Sequence, residues 1–471
     1  MTKYTTAAST EVPNWAGLFQ GKLAIYSITF GGSVALHALN VFVTTTIMPS
    51  VVRDIGGLDV YAWSSSVFII ISILSAALAS RLLASVGANW AYLIAAMVFS
   101  IGTVMCALAP NIWLLIAGRA VQGLGGGFFY ALAYTVIRMV YPARLWPIAI
   151  GLITVMWGIA TLIGPAVGGI FAELGSWRTA FWVLIPCSIL VGITAVSVLP
   201  KKEKTGAPVE GLPTIQIVLL IAIVLTVSVG SIDVTTTKVF ISIVIAVLLG
   251  WFLIYSERHA TERLLPLGAL SVSNPLGAHY ICIGLLLFGM QPEIFVPYLL
   301  QILHGQSPLW AGYIGALMAF GWTAGSIISA SWTGKKTAAT VVIGPIFGLV
   351  GLLLQAWFLP MLSGGEWQIL VPICLGLIFV GFGIGVTWPH IVTRIYERAP
   401  ENEQDIAAAG VTTMQLFATA LGASLGGMVV NLAGINDPGG VSGASNAALW
   451  LCLLFAIAPF LGVFVARKAL S

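Results

Sequence analysis

Charge is the first thing this chain lacks: Asp, Glu, Lys and Arg make up 8% of its 471 residues and the mean hydropathy is +1.02. Soluble domains carry about 25% charged residues, so a water-soluble fold is excluded. Cysteine is equally sparse, and Cys106, Cys187, Cys282, Cys374 and Cys452 lie far apart inside apolar runs, which excludes a disulfide framework and a metal-ligand cluster. They are expected as small core residues. Also missing are a Gly-rich phosphate loop, paired catalytic carboxylates and a Ser-His-Asp set, which argues against an enzyme and calls for no cofactor. The net charge of +4 is not gathered into any basic patch outside the apolar runs, so nucleic acid is not an expected partner. The polar segment 1–22 lacks the apolar core and small-residue cleavage site of a signal peptide, leaving insertion to the first membrane helix.

What the chain has instead is a succession of apolar runs, each near the roughly 20 residues that cross a hydrocarbon core of about 30 Å. The expected spans are 23–48, 62–86, 91–109, 112–141, 146–172, 179–199, 214–232, 238–255, 276–302, 309–332, 338–360, 367–394, 405–433 and 447–466. Basic residues resist translocation and stay cytoplasmic. With both termini inside, Arg119 falls within a span and only Arg53, Arg178 and Lys238 of the 20 Lys and Arg residues lie outside. The expectation is a multi-pass protein of the cell membrane, of the bacterial inner membrane type, with both termini cytoplasmic and a monomeric state.

Two segments repeat at one offset. GLGGGFFYALAYTVIRMVYP from Gly123 meets GFGIGVTWPHIVTRIYERAP from Gly381, and ATLIGPAVGG from Ala160 meets ATALGASLGG from Ala418, both 258 residues apart. A six-helix half is shorter than that by about one helical hairpin, roughly 65 residues of chain. The organisation is therefore a cytoplasmic segment 1–22, a six-helix bundle 23–200, a linker 201–213, an inserted hairpin 214–255, a linker 256–275 and a second bundle 276–471. The fold class is an all-α polytopic membrane protein of two pseudo-symmetric six-helix bundles plus two extra helices. The hairpin is expected to be peripheral, with Asp233 near its outer turn unassigned.

Parallel six-helix halves resemble the major facilitator superfamily. LLIAGRAVQGLGGG from Leu114 looks like the superfamily's fourth-helix motif, with Arg119 and Gly123 at its defining positions. WGIATLIGPAVGG looks like the fifth-helix antiporter motif through Gly164, Pro165, Gly168 and Gly169, and SWRTAFWVLIP from Ser176 resembles the start of helix six in the fourteen-span drug:proton antiporters. Two departures stand out. In SRLLASVGANW from Ser80, Ala84, Ala88 and Asn89 occupy the places of a charged latch. In LNVFVTTTIMP from Leu39, Asn40 replaces an acid commonly implicated in proton coupling.

A charge near the bilayer centre costs about 2.5 to 3.5 kcal/mol on insertion scales, so Arg119 is expected to face the bundle interior. Its role is either to pin carbonyls or amides of helices one and five or to link substrate and proton. Glu293, after Pro292, is the one acid well inside a long span. Desolvation disfavours a carboxylate, so protonation there would follow whether the cavity is wet or closed. The same group could bind a cationic solute, or pair structurally with a buried donor. Aligning Pro49 with Pro297 places Thr45 opposite Glu293. His37, about one turn before Asn40, is a proton-handling candidate or a packing residue, and His390 a substrate contact or a buried donor. Tyr130 and Trp388 coincide in the repeat and, with Asn40, Thr45, Gln122, Trp157 and Tyr298, are candidates to line a solute cavity. The motif glycines would let helices approach closely and Pro165 would bend its helix.

The expected function is proton-coupled export of small amphiphilic organic compounds by alternating access between the bundles. A carrier for one metabolite or siderophore, working inward or as a facilitator, remains the alternative.

Overall fold

The computed structural model describes residues 15–142, 145–201, 211–232, 234–332 and 335–470. Lys3, Arg144, Lys202, Lys204 and Asp233 lie outside them. The described residues form α1 (Gly21–Ile55), α2 (Trp63–Val86), α3 (Ala88–Ala107), α4 (Ile112–Val140), α5 (Trp146–Glu173), α6 (Trp177–Val198), α7 (Thr214–Gly230) and α8 (Thr236–His259). They continue with α9 (Pro275–Gly289), α10 (Val296–His304), α11 (Pro308–Ser329), α12 (Lys335–Phe358), α13 (Trp367–Arg398), α14 (Gln404–Leu432) and α15 (Gly440–Leu470). Among the described residues 13 helical segments are long and apolar enough to cross a membrane, α9 and α10 counting as one, and α7 is a shorter apolar helix. Hydrocarbon offers backbone groups no partner, so apolar runs of this length close their hydrogen bonds within the helix.

Local chemistry sets where the helices start and stop. Asn111 and Ser307 cap α4 and α11 by accepting from the amides of Leu114 (3.0 Å) and Trp310 (3.4 Å). The first helix runs past the expected position 48 to Ile55, through Pro49, and ends at Gly56, whose φ of 73° favours glycine. The expected span 276–302 is one span but two helices, because Pro292 and Pro297 each withhold an amide donor and a 3-10 turn, Gln291–Ile294, fills the break. Gln291 reinforces it by donating to the Leu287 carbonyl at 2.8 Å.

Packing repeats between the halves. In the first, α2 and α3 pack on α4, α3 on α6, and α1 on α5 and α6; in the second, α11 and α12 pack on α13, α12 on α15, and α9 on α14 and α15. Between the halves, α5 meets α11 and α2 meets α14, a second matched pair. The SWRTAFW segment acts at the first half's edge: Trp177 Nε1 and Arg178 Nη1 both donate to Asp54 Oδ2, at 3.1 and 2.7 Å, tying α6 to the end of α1.

The two faces of the molecule differ. The face bearing the start of α1 and the end of α15 is called here the near face, the other the far face. One core on the far face joins residues of both halves, including Val43, Ile47, Tyr61, Phe181, Phe295, Leu299, Ala311 and Leu451. On the near face the cores are separate, Tyr92, Phe99 and Phe129 belonging to the first half and Tyr280, Ile391 and Ala466 to the second. The molecule is closed on its far face and parted on its near face.

Two expectations need correction. Cys187 is exposed on α6 rather than a core residue, while Cys106, Cys282 and Cys452 are buried. The inserted hairpin is peripheral only in α8, whose single buried residue is Glu257; α7 packs on both α2 and α14 and so touches both halves.

Candidate functional site

Glu293 sits in the 3-10 turn, where the broken helix turns its carboxyl toward the other half. It lines a cavity of about 10 Å³, near the minimum that holds one water. Four spans build the walls: Phe42, Thr45 and Thr46 from α1, Pro165 from α5, Pro297 from α10, and Gly312, Gly315 and Ala316 from α11. Thr45 and Thr46 turn their hydroxyls to the carbonyls of Val41 and Phe42, at 3.0 and 2.8 Å. Among the described residues no cation forms an ion pair with Glu293. Thr45 and Glu293, one from each half, thus share a cavity beneath the closed far face.

A second group lies along α1. His37 is stacked on Tyr130 (ring centroids 5.4 Å apart), tilted against Phe68 (5.5 Å) and met edge-on by Trp157 (6.0 Å). Its Nδ1 lies 3.0 Å from where a Cβ on Gly126 would stand, so glycine makes room for the ring. One turn on, Asn40 is fully buried, and neither atom of its amide meets a protein hydrogen-bond partner. An amide in such a place is suited to a solute or a water.

Arg119 and Gln122 stand apart from the Glu293 cavity and meet the His37 group through Phe68. Arg119, 1% exposed, donates Nε to the Ser64 carbonyl (2.8 Å) and Nη1 to Gln122 Oε1 (2.6 Å), and its guanidinium lies 4.2 Å over the Phe68 ring. Gln122 passes the link to Thr103 Oγ1 at 2.9 Å. The chain of bonds joins α2, α4 and α3, where helices one and five were the expected partners. Phe68 is in contact with both Arg119 and His37.

The remaining candidates are dispersed. Trp388 packs beside Trp322 (5.5 Å) toward the near face of the second half, and His390 Nε2 faces the Ser329 carbonyl at 3.0 Å. Tyr298 meets Tyr61 (5.9 Å), which is stacked on Phe295 (5.1 Å), in the far-face seam. The motif glycines serve contacts: Gly164 lies against Phe42, a Cβ on Gly168 would stand 3.0 Å from Thr46 Cβ, and one on Gly169 would stand 2.5 Å from Leu309 Cα. Pro165 lies against Gly312. Sequence reasoning missed Phe68, Tyr61 and the α11 wall. Only Gly312 and Gly315, spaced to leave one face of a helix bare, carried a signal for the last.

A profile described as Major Facilitator Superfamily matches residues 30–423. A protein of Mycobacterium tuberculosis named as a probable multidrug-efflux transporter is 33% identical over 472 residues, covering 98% of each chain. The multidrug transporter protein MdtP of Bacillus subtilis is 24% identical over 405 residues, covering 84% of this chain and 73% of that one. Among solved structures, a point mutant of the nucleoside transporter NupG superposes with a TM-score of 0.65 at 13% identity, covering 95% of this chain and 99% of the other. A POT family transporter in complex with 5-aminolevulinic acid gives 0.66 at 14% identity, covering 96% of each. At those identities the structural likeness concerns the fold.

Proposed function

The chain belongs to the major facilitator superfamily, and from that premise we propose that it exports small amphiphilic organic compounds across the cell membrane in exchange for protons. The distribution of basic residues supports a cytoplasmic near face, and on that reading the described state is open inward. A cationic or amphiphilic solute enters between the halves past Tyr130, Trp157 and Trp388. It competes with a proton for Glu293. Rocking of the halves about this point opens the far face, where an external proton displaces the solute; closure and loss of the proton to the cytoplasm reset the carrier.

The observation that carries this reading is the place of Glu293: a lone carboxyl, without an ion-pair partner among the described residues, lining a cavity shared by both halves. The names of the similar proteins, a probable multidrug-efflux transporter and a multidrug transporter, support the substrate class. His37, beside the same cleft, is assigned a supporting part in proton transfer, and Asn40 a polar contact for solute. Arg119 is assigned to coupling through the shape of the first half, since its bonds fix α2 against α4.

Reconstitution into liposomes with an imposed pH gradient tests the proposal. The wild type should accumulate lipophilic cations against their gradient. Glu293→Gln should lose accumulation while still exchanging labelled for unlabelled solute. Full gradient-driven accumulation by the variant would remove Glu293 from the mechanism.

A further inference from the structure

The far face closes along two flanks. On one, α5 and α11 meet directly, Gly169 against Leu309 and Pro165 against Gly312, which also lies against Thr46 of α1. On the other, α2 and α14 have a third helix beside them. Val224 of α7 packs with Ile70 of α2 and Ala420 of α14 in one buried cluster. The far end of α7 is also held by hydrogen bonds. Ser228 Oγ pairs with Ser424 Oγ of α14 at 2.7 Å, and Asn431 of α14 donates Nδ2 to the Ser231 carbonyl at 2.7 Å. Trp63 of α2 donates Nε1 to the Ser228 carbonyl at 3.1 Å. The same Asn431 nitrogen donates to the Asp59 carbonyl, in the turn between α1 and α2, at 2.6 Å.

These bonds divide by half. Ser228 to Ser424 and Asn431 to Ser231 tie α7 to the second half. At the near end Gln216 Nε2 donates to the Glu262 carbonyl (3.1 Å), on the stretch leading into that half. Trp63 to Ser228 ties α7 to the first half, and Asn431 to Asp59 ties the halves together. When the halves rock apart at the far face, a helix bonded to both can follow only one.

We propose that α7 travels with the second half and serves as a latch on the far face. Trp63 and Asn431 are its positioning residues: their bonds to Ser228 and to Asp59 break at each opening, while those between α7 and α14 persist. The inserted hairpin is then a moving part of the carrier, with α7 as latch and α8 as its lipid-facing partner. The proposal depends neither on the solute nor on the coupling ion.

Hydrogen–deuterium exchange on the whole protein in nanodiscs tests it. Trp63→Phe removes the indole donor and keeps a ring against Trp113, whose centroid lies 6.1 Å away. Exchange at the far ends of α2 and α14 should quicken about fivefold, the weight of one ordinary buried hydrogen bond, with α7 as protected as in the wild type. Ser424→Ala should do the reverse, loosening α7 and leaving α2 unchanged. Unchanged exchange in Trp63→Phe, or loosening of α7 rather than of the α2 and α14 ends, would overturn the proposal. So would uniform loss of protection through both halves with a lower melting temperature, which marks a merely structural role. Asn431→Ala removes the bonds to both Asp59 and Ser231, so it should quicken the α2 and α14 ends and loosen α7 as well; if it fails to fold, Trp63→Phe and Ser424→Ala decide.

Discussion

Arg119 and Glu293 are the two charged side chains the sequence places in mid-span, and they have met opposite solutions to the same cost. Arg119 directs its donors to a carbonyl and an amide inside the first half; Glu293 faces a cavity at the meeting of the halves. Replacing Arg119 by Met would leave Ser64 and Gln122 oxygens unmatched in a dry site, a loss of about 1–3 kcal/mol. The melting temperature in detergent should fall accordingly, and Arg119→Lys should not restore it, since one ammonium cannot reproduce the fixed Nε and Nη1 pair. A variant that melted like the wild type yet failed to transport would move Arg119 from scaffold to solute path. Both charges were legible in the sequence because charge is costly in hydrocarbon. Their surroundings were not: Ser64 contributes only a backbone carbonyl, and Phe68 is one apolar residue among many.

At the scale of elements, apolar run length located the spans closely, because the bilayer sets both their length and their composition. Pro292 and Pro297 make the break that positions Glu293, and the expected span 276–302 did not include it, because a hydropathy run does not distinguish one helix from two joined by a turn. The hairpin misled for a related reason: α7 and α8 are both apolar, and only packing separates a helix between two halves from one facing lipid. The glycines of α5 were legible as close contacts but not their partner. Gly169 admits the backbone of Leu309 from the other half, where a Cβ would stand 2.5 Å from its Cα. Gly169→Ala should therefore push α5 and α11 apart on the far face. Water-soluble maleimide should label a cysteine at Thr46 several-fold faster than in the unsubstituted background. Equal labelling would show that α11 yields without opening. By contrast, Gly381 lies against the Met318 carbonyl within the second half, and substitution there should lower stability without favouring either face.

At the scale of the molecule, the repeat at 258 residues made the two halves legible in the chain itself, and helix pairings recur between the halves in matching order. Which face is shut could not be read, since each half carries enough apolar surface to close either end and the choice lies in how the halves meet. That meeting places one carboxyl in a cavity lined by both halves, and the proposed exchange turns on it. The direct measurement is the proton count on solute binding: purified protein in weakly buffered detergent solution, titrated with a lipophilic cation while pH is followed. The account predicts release of up to one proton per molecule by the wild type and none by Glu293→Gln that still binds the solute. Equal release by both would contradict it.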